Sequence, residues 1–408
     1  MNGKFLKRPP IRILKVIVMN MRKIVPDSYI EYFRNLSLML DETNLKIIDY
    51  IKRMGPRNMS EIARCIGEDP KKVSYRFNTM RAKVGLIIRA LPSYSSMGLT
   101  NTMIFLPLDH TRVEAVKNAL ITAKVPKKIY RVYGNTSGII AQLIVPDERV
   151  PYLRDSVSSI LLKKEVKSMR ILHLTDFFFP APDLSRLNLT YRIWDYMPSE
   201  LKKDFMQEKR MKLAEEKIKV YMDKTDIYIL SKLVEDATIP LLKIAEEIGT
   251  SPANLKYHFD NHIIKQGIIR DYHVYLPRYS PDLAGLFFFE FTFNKEEYME
   301  RFLYALSKSV YSRAFAKELG NPRIIALMEI LWGDLQDVLQ ILYELCISGY
   351  MVDYKFSYVD LRNIHVDNLT PDIFDDKTGW RVPENLGISS KRLAKYKRID
   401  IAKKDTIK

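Results

Sequence analysis

Ile62-Ala63-Arg64-Cys65-Ile66-Gly67-Glu68-Asp69-Pro70 decides how this chain is read. Ile244-Ala245-Glu246-Glu247-Ile248-Gly249-Thr250-Ser251-Pro252 repeats its apolar, glycine and proline positions 182 residues later. Laid without a gap, residues 41–90 and 223–272 share about a quarter of their 50 positions, Tyr75/Tyr257, Phe77/Phe259, Gly85/Gly267 and Ile87/Ile269 among them. Self-similarity at a fixed offset over this length points to tandem duplication. Within the first copy, Leu45, Ile48 and Ile51 mark one helix, and Ser60 to Ile66 form a second that Gly67 stops. Asp69 is suited to cap a third helix with Pro70 at its first position, where the missing N–H costs nothing. Val73, Phe77 and Met80 recur at helical spacing and predict its buried face. Gly85 ends it and a strand follows. Three short helices, a tight glycine turn and a β-ribbon describe a winged helix-turn-helix.

The chain between and after the copies has another pattern. Residues 102–108 read as a strand, 111–123 as a helix, 128–133 and 137–145 as strands around Gly134-Asn135, 147–162 as a helix and 166–174 as a strand. That order is βαββαβ, a ferredoxin-like unit. Residues 286–358 repeat it around Gly320-Asn321. The expected fold class is therefore α+β, with two winged helix-turn-helix domains, each followed by a ferredoxin-like domain. The expected boundaries are a basic arm over 1–39, a first winged helix over 40–95 and a first ferredoxin-like unit over 100–178. A helical linker over 179–221, with the run from 200 to 221 helical, leads to a second winged helix over 222–279. A second ferredoxin-like unit over 283–361 and a basic tail over 362–408, largely disordered from Thr370 onward, complete the chain.

Asp223-Lys224-Thr225-Asp226, the run Ile244 to Pro252, and Gly267-Ile268-Ile269-Arg270-Asp271-Tyr272 resemble the Lrp/AsnC family of prokaryotic transcription regulators. The first copy is similar and more divergent, and the likeness covers most of residues 40–360. The resemblance implies winged helices that contact DNA and ferredoxin-like units that associate through their sheets, within one chain or as a homodimer.

Charge grades the two copies. The net charge is +16, and residues 1–39 and 377–408 hold +6 and +7 of it. Basic ends on a near-neutral body are suited to a polyanion. Residues 52–89 carry ten basic residues and three acids, whereas 234–272 carry four and six. Phosphate neutralisation supplies most non-specific affinity for DNA, so the first winged helix is the expected reader. Lys71, Lys72, Ser74, Tyr75, Arg76 and Asn78 are assigned to groove and backbone contacts, with Arg64, Arg81 and Arg89 on flanking phosphates. Asn254, Lys256, Tyr257, His258 and Asn261 form a secondary set on the second copy. His258 and His262 share a helix face at zinc-binding spacing, but the sequence positions no third ligand nearby, and no metal is expected.

The resemblance also implies a ligand site near Gly134, Asn135, Gly320 and Asn321. The carboxylate that would hold an amino-acid ammonium is missing after either glycine, so amino-acid sensing is not expected. Cys65 and Cys346 read as buried reduced thiols on apolar helix faces. No nucleophile cluster, phosphate loop or cofactor motif is present, so no catalysis and no cofactor are expected. No signal peptide or membrane span is read, which implies the cytoplasm. The expected function is a DNA-binding transcription regulator with double-stranded DNA as partner. An RNA- or ribosome-associated factor is the alternative, and an architectural scaffold is the third reading.

Overall fold

A computed structural model describes residue 39 and residues 41–388, apart from 182–185, 189–192, 216–217, 276–278 and 280. The basic arm, with the strand at 11–19 and the helix at 27–38 expected there, lies outside the described residues. So does the chain beyond 388.

Helix α1 (Glu42–Met54) starts where the Asp41 side chain accepts the N–H of Asn44 at 2.8 Å. Helix α2 (Met59–Ile66) is capped by Asn58 and stopped by Gly67 in the left-handed region at φ 72°. Helix α3 (Pro70–Val84) begins on Asp69, whose carboxylate accepts the N–H groups of Lys71 and Lys72, and Val73, Phe77 and Met80 are buried. Strand β1 (Ile87–Pro92) follows. Then come β2 (Leu99–Pro107), α4 (His110–Ile121), β3 (Lys127–Gly134), β4 (Gly138–Pro146), two short helices α5 (Leu153–Ser158) and α6 (Lys163–Ser168), and β5 (Arg170–Leu174). A small ribbon, β6 (Leu187–Asn188) and β7 (Ile193–Trp194), and helix α7 (Pro198–Met206) lead to the second half.

There the order returns. Helices α8 (Lys224–Glu235), α9 (Leu241–Ile248) and α10 (Pro252–Tyr257) precede β8 (Ile269–Tyr275), with a π-helical turn, His258–Ile264, continuing α10. Strand β9 (Ala284–Thr292), α11 (Glu296–Lys308), β10 (Ser312–Lys317), β11 (Arg323–Leu331), α12 (Leu335–Ile347) and β12 (Asp353–Asp367) complete it.

The two helical units meet wing to wing. Strands β1 and β8 pair antiparallel with Ala90 opposite Tyr272, so a position faces its own counterpart 182 residues on. Arg57 likewise donates to the carbonyl of Ile239, again its counterpart, at 2.9 Å. The arrangement is close to two-fold. Strands β2–β5 and β9–β12 form one mixed α+β body around a large antiparallel sheet of eight strands in the order β10-β11-β9-β12-β3-β4-β2-β5. Strand β12 against β3 joins the halves within one chain. At the far edges, bridges from Leu174 to Glu318 and from Phe178 to Phe315 bring β5 and its continuation onto β10, so the sheet curls back on itself. Phe105, Tyr130, Val132, Phe288, Ile325 and Val359 fill the layer between the two half-sheets. Phe289, Phe291 and Ile324 in one half, and Ile104, Ile129 and Ile139 in the other, face the covering helices. Burying these alternate faces is the main favourable term holding the body together.

Four expectations need correction. The helix expected over 147–162 is a 3-10 turn over 147–152 followed by the short α5, and the strand expected over 166–174 starts only at Arg170, because residues 163–168 form α6. The run from 200 to 221 is not one helix: α7 ends at Met206, and the described residues up to Asp223 are irregular. Helix propensity there is overridden because the segment is spread along the body. Met211 N donates to the carbonyl of Glu300, and Val220 N to that of Ser96. The tail is ordered to residue 388. Strands β13 (Phe374–Asp375) and β14 (Gly379–Trp380) pair, and the buried Trp380 indole donates to the carbonyl of Met97 at 2.8 Å. Cys65 is exposed rather than buried, and Cys346 is half-buried, its thiol pushed up by burial and by Asp353. No helix among the described residues is long and apolar enough to cross a membrane.

Candidate functional site

The face of α3 carries less free positive charge than its sequence suggests. Arg64 is ion-paired with Glu61, and Lys72 with Glu68 at 2.7 Å. Arg76 turns away from solvent, giving Nη1 to Asp41 Oδ2 at 2.6 Å and to Asn44 Oδ1 at 3.2 Å. Arg81 reaches Asp236 in the second unit at 3.2 Å. Asp41 and Asp236 lie outside the window over which the basic excess was counted. Lys71 and Tyr75 remain exposed, and Ser74 is half-buried.

Asn78, Arg81 and Arg89 instead line a crevice of about 680 Å³ with Gly85, Leu86 and Ile87 on one wall and Glu235 and Asp236 on the other. This volume falls within the range of small-molecule sites. Asp236 and Arg81 neutralise each other, whereas among the described residues no carboxylate is paired with Arg89, whose Nε is buried without a hydrogen-bond partner. Buried donors are nearly always satisfied, so such an orphan marks a place where a ligand or water completes the site. The corresponding positions of the second copy are Asp260 for Asn78 and Asp271 for Arg89. Burial pushes the Asp271 carboxyl up. The second copy thus places two acids where the first places Asn78 and Arg89.

Behind Arg89 stands Lys128, on the inner face of β3 with its ammonium 5.9 Å from the Phe179 ring centre. Burial, and then the neighbouring Arg89 cation, push its ammonium down to about 8. Loss of hydration and like charge both disfavour the protonated amine. The sequence showed Lys128 only as one of two lysines opening a strand. Strand alternation placed it on the inner face, but its nearness to Arg89 is a product of tertiary packing.

The Gly-Asn turns are not ligand-sized. Asn135 N donates to the carbonyl of Phe356 at 3.1 Å, and Thr136 N to Ser357 Oγ at 2.9 Å. Strand β12 thus occupies the room beside Gly134. About 10 Å³ is left among Asn135, Thr136, Arg170 and Glu290, enough for about one water. Gly320 and Asn321 form an exposed turn.

On the second unit, Tyr257 is exposed, Lys256 pairs with Asp260, and the side chains of Asn254 and Asn261 bond to Thr250 and to the carbonyl of Tyr257. His258 is buried, and His262 is only 18 % exposed. Their Nδ1 atoms lie 3.0 Å from the two oxygens of the fully buried Asp226. Further candidate ligands therefore exist upstream of His258, Asp226 by 32 residues and Asp223 by 35.

The fold and site together define a two-half α+β protein with an inner sheet layer and one basic crevice between its helical units. Solved structures share that whole-chain architecture. The siroheme decarboxylase NirDL matches with a TM-score of 0.52 at 12% identity, covering 89% of this chain and 100% of its own. The same enzyme in co-complex with an iron-uroporphyrin III analogue gives 0.52 at 11%, covering 87% and 99%. A transcriptional regulator from Neisseria meningitidis, NMB0573 with L-Met, reaches only 0.30 at 20% identity over 37% of this chain and 97% of its own, and carries no argument. No family model and no curated protein matches the sequence.

Two expectations fall on this finding. The full-length likeness is to an enzyme and not to a DNA-binding regulator, and it gives the RNA alternative no support. The expectation that the chain is not an enzyme is overturned on the same ground. At this identity the likeness shows the fold; the reaction has to be argued from the residues.

Proposed function

We propose that two Lrp/AsnC-like units arose by tandem duplication and that the chain now binds an iron porphyrin bearing carboxylate arms, and removes CO2 from it, in the crevice around Arg89. The observation that carries this reading is Arg89 itself, a guanidinium with a buried, unpartnered Nε in the wall of a crevice of about 680 Å³. A carboxylate is the natural occupant, since guanidinium and carboxylate match in shape and charge. Leu86 and Ile87 offer the apolar surface a flat macrocycle needs, while the Asn78 amide can donate to a second arm.

The chemistry follows from charge. Loss of CO2 breaks one C–C bond and leaves its electron pair on the arm's carbon, where a proton must form a new C–H bond. The substrate's conjugated ring supplies the electron sink. We assign that proton to Lys128, which stands behind Arg89 rather than in the crevice wall and whose ammonium burial and Arg89 push down to about 8. Arg89 holds a neighbouring carboxylate and does not itself transfer a proton.

Titrating the full chain with iron-uroporphyrin III tests the reading. Saturable binding with a shifted Soret band is expected, weakened at least about tenfold in Arg89→Gln, since losing a buried charged contact costs several kcal/mol. Mass spectrometry should detect CO2 loss that Lys128→Met slows without changing affinity to the same extent. No saturable binding by the unaltered chain, or equal affinity in Arg89→Gln, would overturn it.

A further inference from the structure

The two copies differ in one place where a charge has disappeared. In the first, Asp41 and Asn44 at the start of α1 receive the guanidinium of Arg76 from α3. The corresponding positions 182 residues on are Asp223, Asp226 and His258, and Met80 corresponds to His262. The cation is gone, the amide has become a second carboxylate, and two imidazoles have arrived.

Their geometry is already that of a coordination set. One ligand atom from each of Asp223, Asp226, His258 and His262 lies within 4.8 Å of all the others. His258 Nδ1 is 3.0 Å from Asp226 and 3.5 Å from Asp223, His262 Nδ1 is 3.0 Å from the other Asp226 oxygen, and the two rings are 4.7 Å apart. Asp226 is fully buried, and among the described residues no lysine or arginine pairs with it. A buried carboxylate is costly unless a cation or several donors compensate it. The backbone supports the arrangement. The Asp223 and Asp226 carboxylates accept each other's N–H, which fixes both side chains at the head of α8. Where α3 of the first copy is a regular helix, the second copy has the π-helical turn His258–Ile264, a distortion concentrated at functional sites.

We infer that Asp223, Asp226, His258 and His262 bind a divalent metal ion of the zinc class in place of the arginine that the first copy uses. Two carboxylates and two neutral imidazoles leave a charge of −2, which one divalent ion cancels. Two nitrogens and two oxygens in a compact cluster suit tetrahedral Zn²⁺. Each imidazole must offer its Nδ1 lone pair to the ion and keep its proton on Nε2, so added protons compete with the metal and binding weakens as pH falls. Its role is structural: it fastens the π-helical turn to α8 and thereby sets the position of β8. The site lies at the end of α8 away from Glu235 and Asp236, roughly 15 Å along the helix, so it stands or falls independently of the crevice.

The test uses the full chain, stripped with a chelator and titrated with Zn²⁺, with Co²⁺ as a spectroscopic probe. About one ion per chain is expected, with the visible absorption of tetrahedral Co²⁺ and a rise in Tm on adding Zn²⁺. Asp223→Asn and His262→Met should each weaken binding at least about tenfold, as ligand-shell changes do. The double substitution His258→Arg with Asp226→Asn rebuilds the first copy's arrangement. It should abolish metal binding while keeping the metal-free chain folded, its Tm unmoved by Zn²⁺. An unaltered chain that takes up no ion at micromolar Zn²⁺, or a double variant that binds it equally well, overturns the inference.

Discussion

Arg170 and Glu290 lock the two halves together: the Nη1 and Nη2 of one meet the Oε1 and Oε2 of the other at 2.8 Å each. Arg170 opens β5 in the first half, lying over the Phe105 ring at 4.6 Å, while Glu290 sits in β9 of the second. Glu290 is nearly buried and keeps a second, longer contact with Arg323 Nε at 3.5 Å. Such a paired fork fixes how the two half-sheets face each other more than it adds net stability.

Removing one partner is therefore expected to cost more than removing both. Glu290→Gln should lower stability by about 1–3 kcal/mol, because Arg170 then loses its bidentate carboxylate while Arg323 keeps only Glu318, at 2.6 Å. Glu290→Leu combined with Arg170→Met should cost less than the sum of its single changes. Urea unfolding of the four proteins reads the coupling, and strict additivity would show that the pair does not act as a unit.

Lys128 should make stability depend on pH in the alkaline range. Its folded value, about 8, lies below that of an unfolded lysine. The ammonium therefore opposes folding fully below about pH 8, and this opposition fades as pH rises towards about 10, where both states lose the proton. Stability should rise across that window. Lys128→Met should flatten the rise and stabilise the chain at neutral pH by on the order of 1–3 kcal/mol, the side chain being only half-buried. A carboxylate ligand would draw the proton back, so calorimetry near pH 9 in buffers of different ionisation heat should register proton uptake on binding.

Gly138 and Gly320 carry different loads although both have positive φ. At Gly138, φ is 144° and a Cβ would strike the carbonyl oxygen of Leu106 and stand 2.8 Å from Leu108 N. Gly320 has φ 74° and open space around it. Gly138→Ala should cost upwards of about 3 kcal/mol because backbone must move, and Gly320→Ala about 1–2 kcal/mol from the left-handed conformation alone. Chemical denaturation of the two variants measures the difference; similar losses would contradict the close approach seen at Gly138.

Trp380 pins the C-terminal segment onto the first half, packing edge-on against Phe374 at 4.9 Å. Beyond it, Arg149 Nε donates to the carbonyl of Val382, and Lys124 N to that of Leu386. Trp380→Ala should cost about 3–5 kcal/mol and release the segment together. Hydrogen exchange would then show lost protection at Lys124 as well as near Trp380; protection unchanged at Lys124 would refute this coupling.

Much of the fold was legible because its signals are local. Asp69 and Pro70 announce a helix start, Gly67 announces a stop, and the strand order of both βαββαβ runs follows from alternation and turns, although the second helix of the first run is broken into short pieces. The crevice was not legible as a crevice. Asn78, Arg81 and Arg89 were picked out for their donors, but a helix face in sequence does not say what lies opposite it. Lys128 carried no signal, and the metal-ligand set was half visible, as His258 and His262 without the acids they meet.

By itself, then, the sequence determined the order of most elements, the likeness between its two halves and the buried face of α3, since these follow from spacing along one chain. Where the charges end is a tertiary matter. Arg76 is drawn onto Asp41 and Asn44, Arg81 onto Asp236 in the other half, and both histidines onto Asp226, while Arg89 is left with an unpartnered nitrogen. An ionic side chain is satisfied by whatever the packing brings within a few ångströms, and that distance bears no relation to separation in sequence.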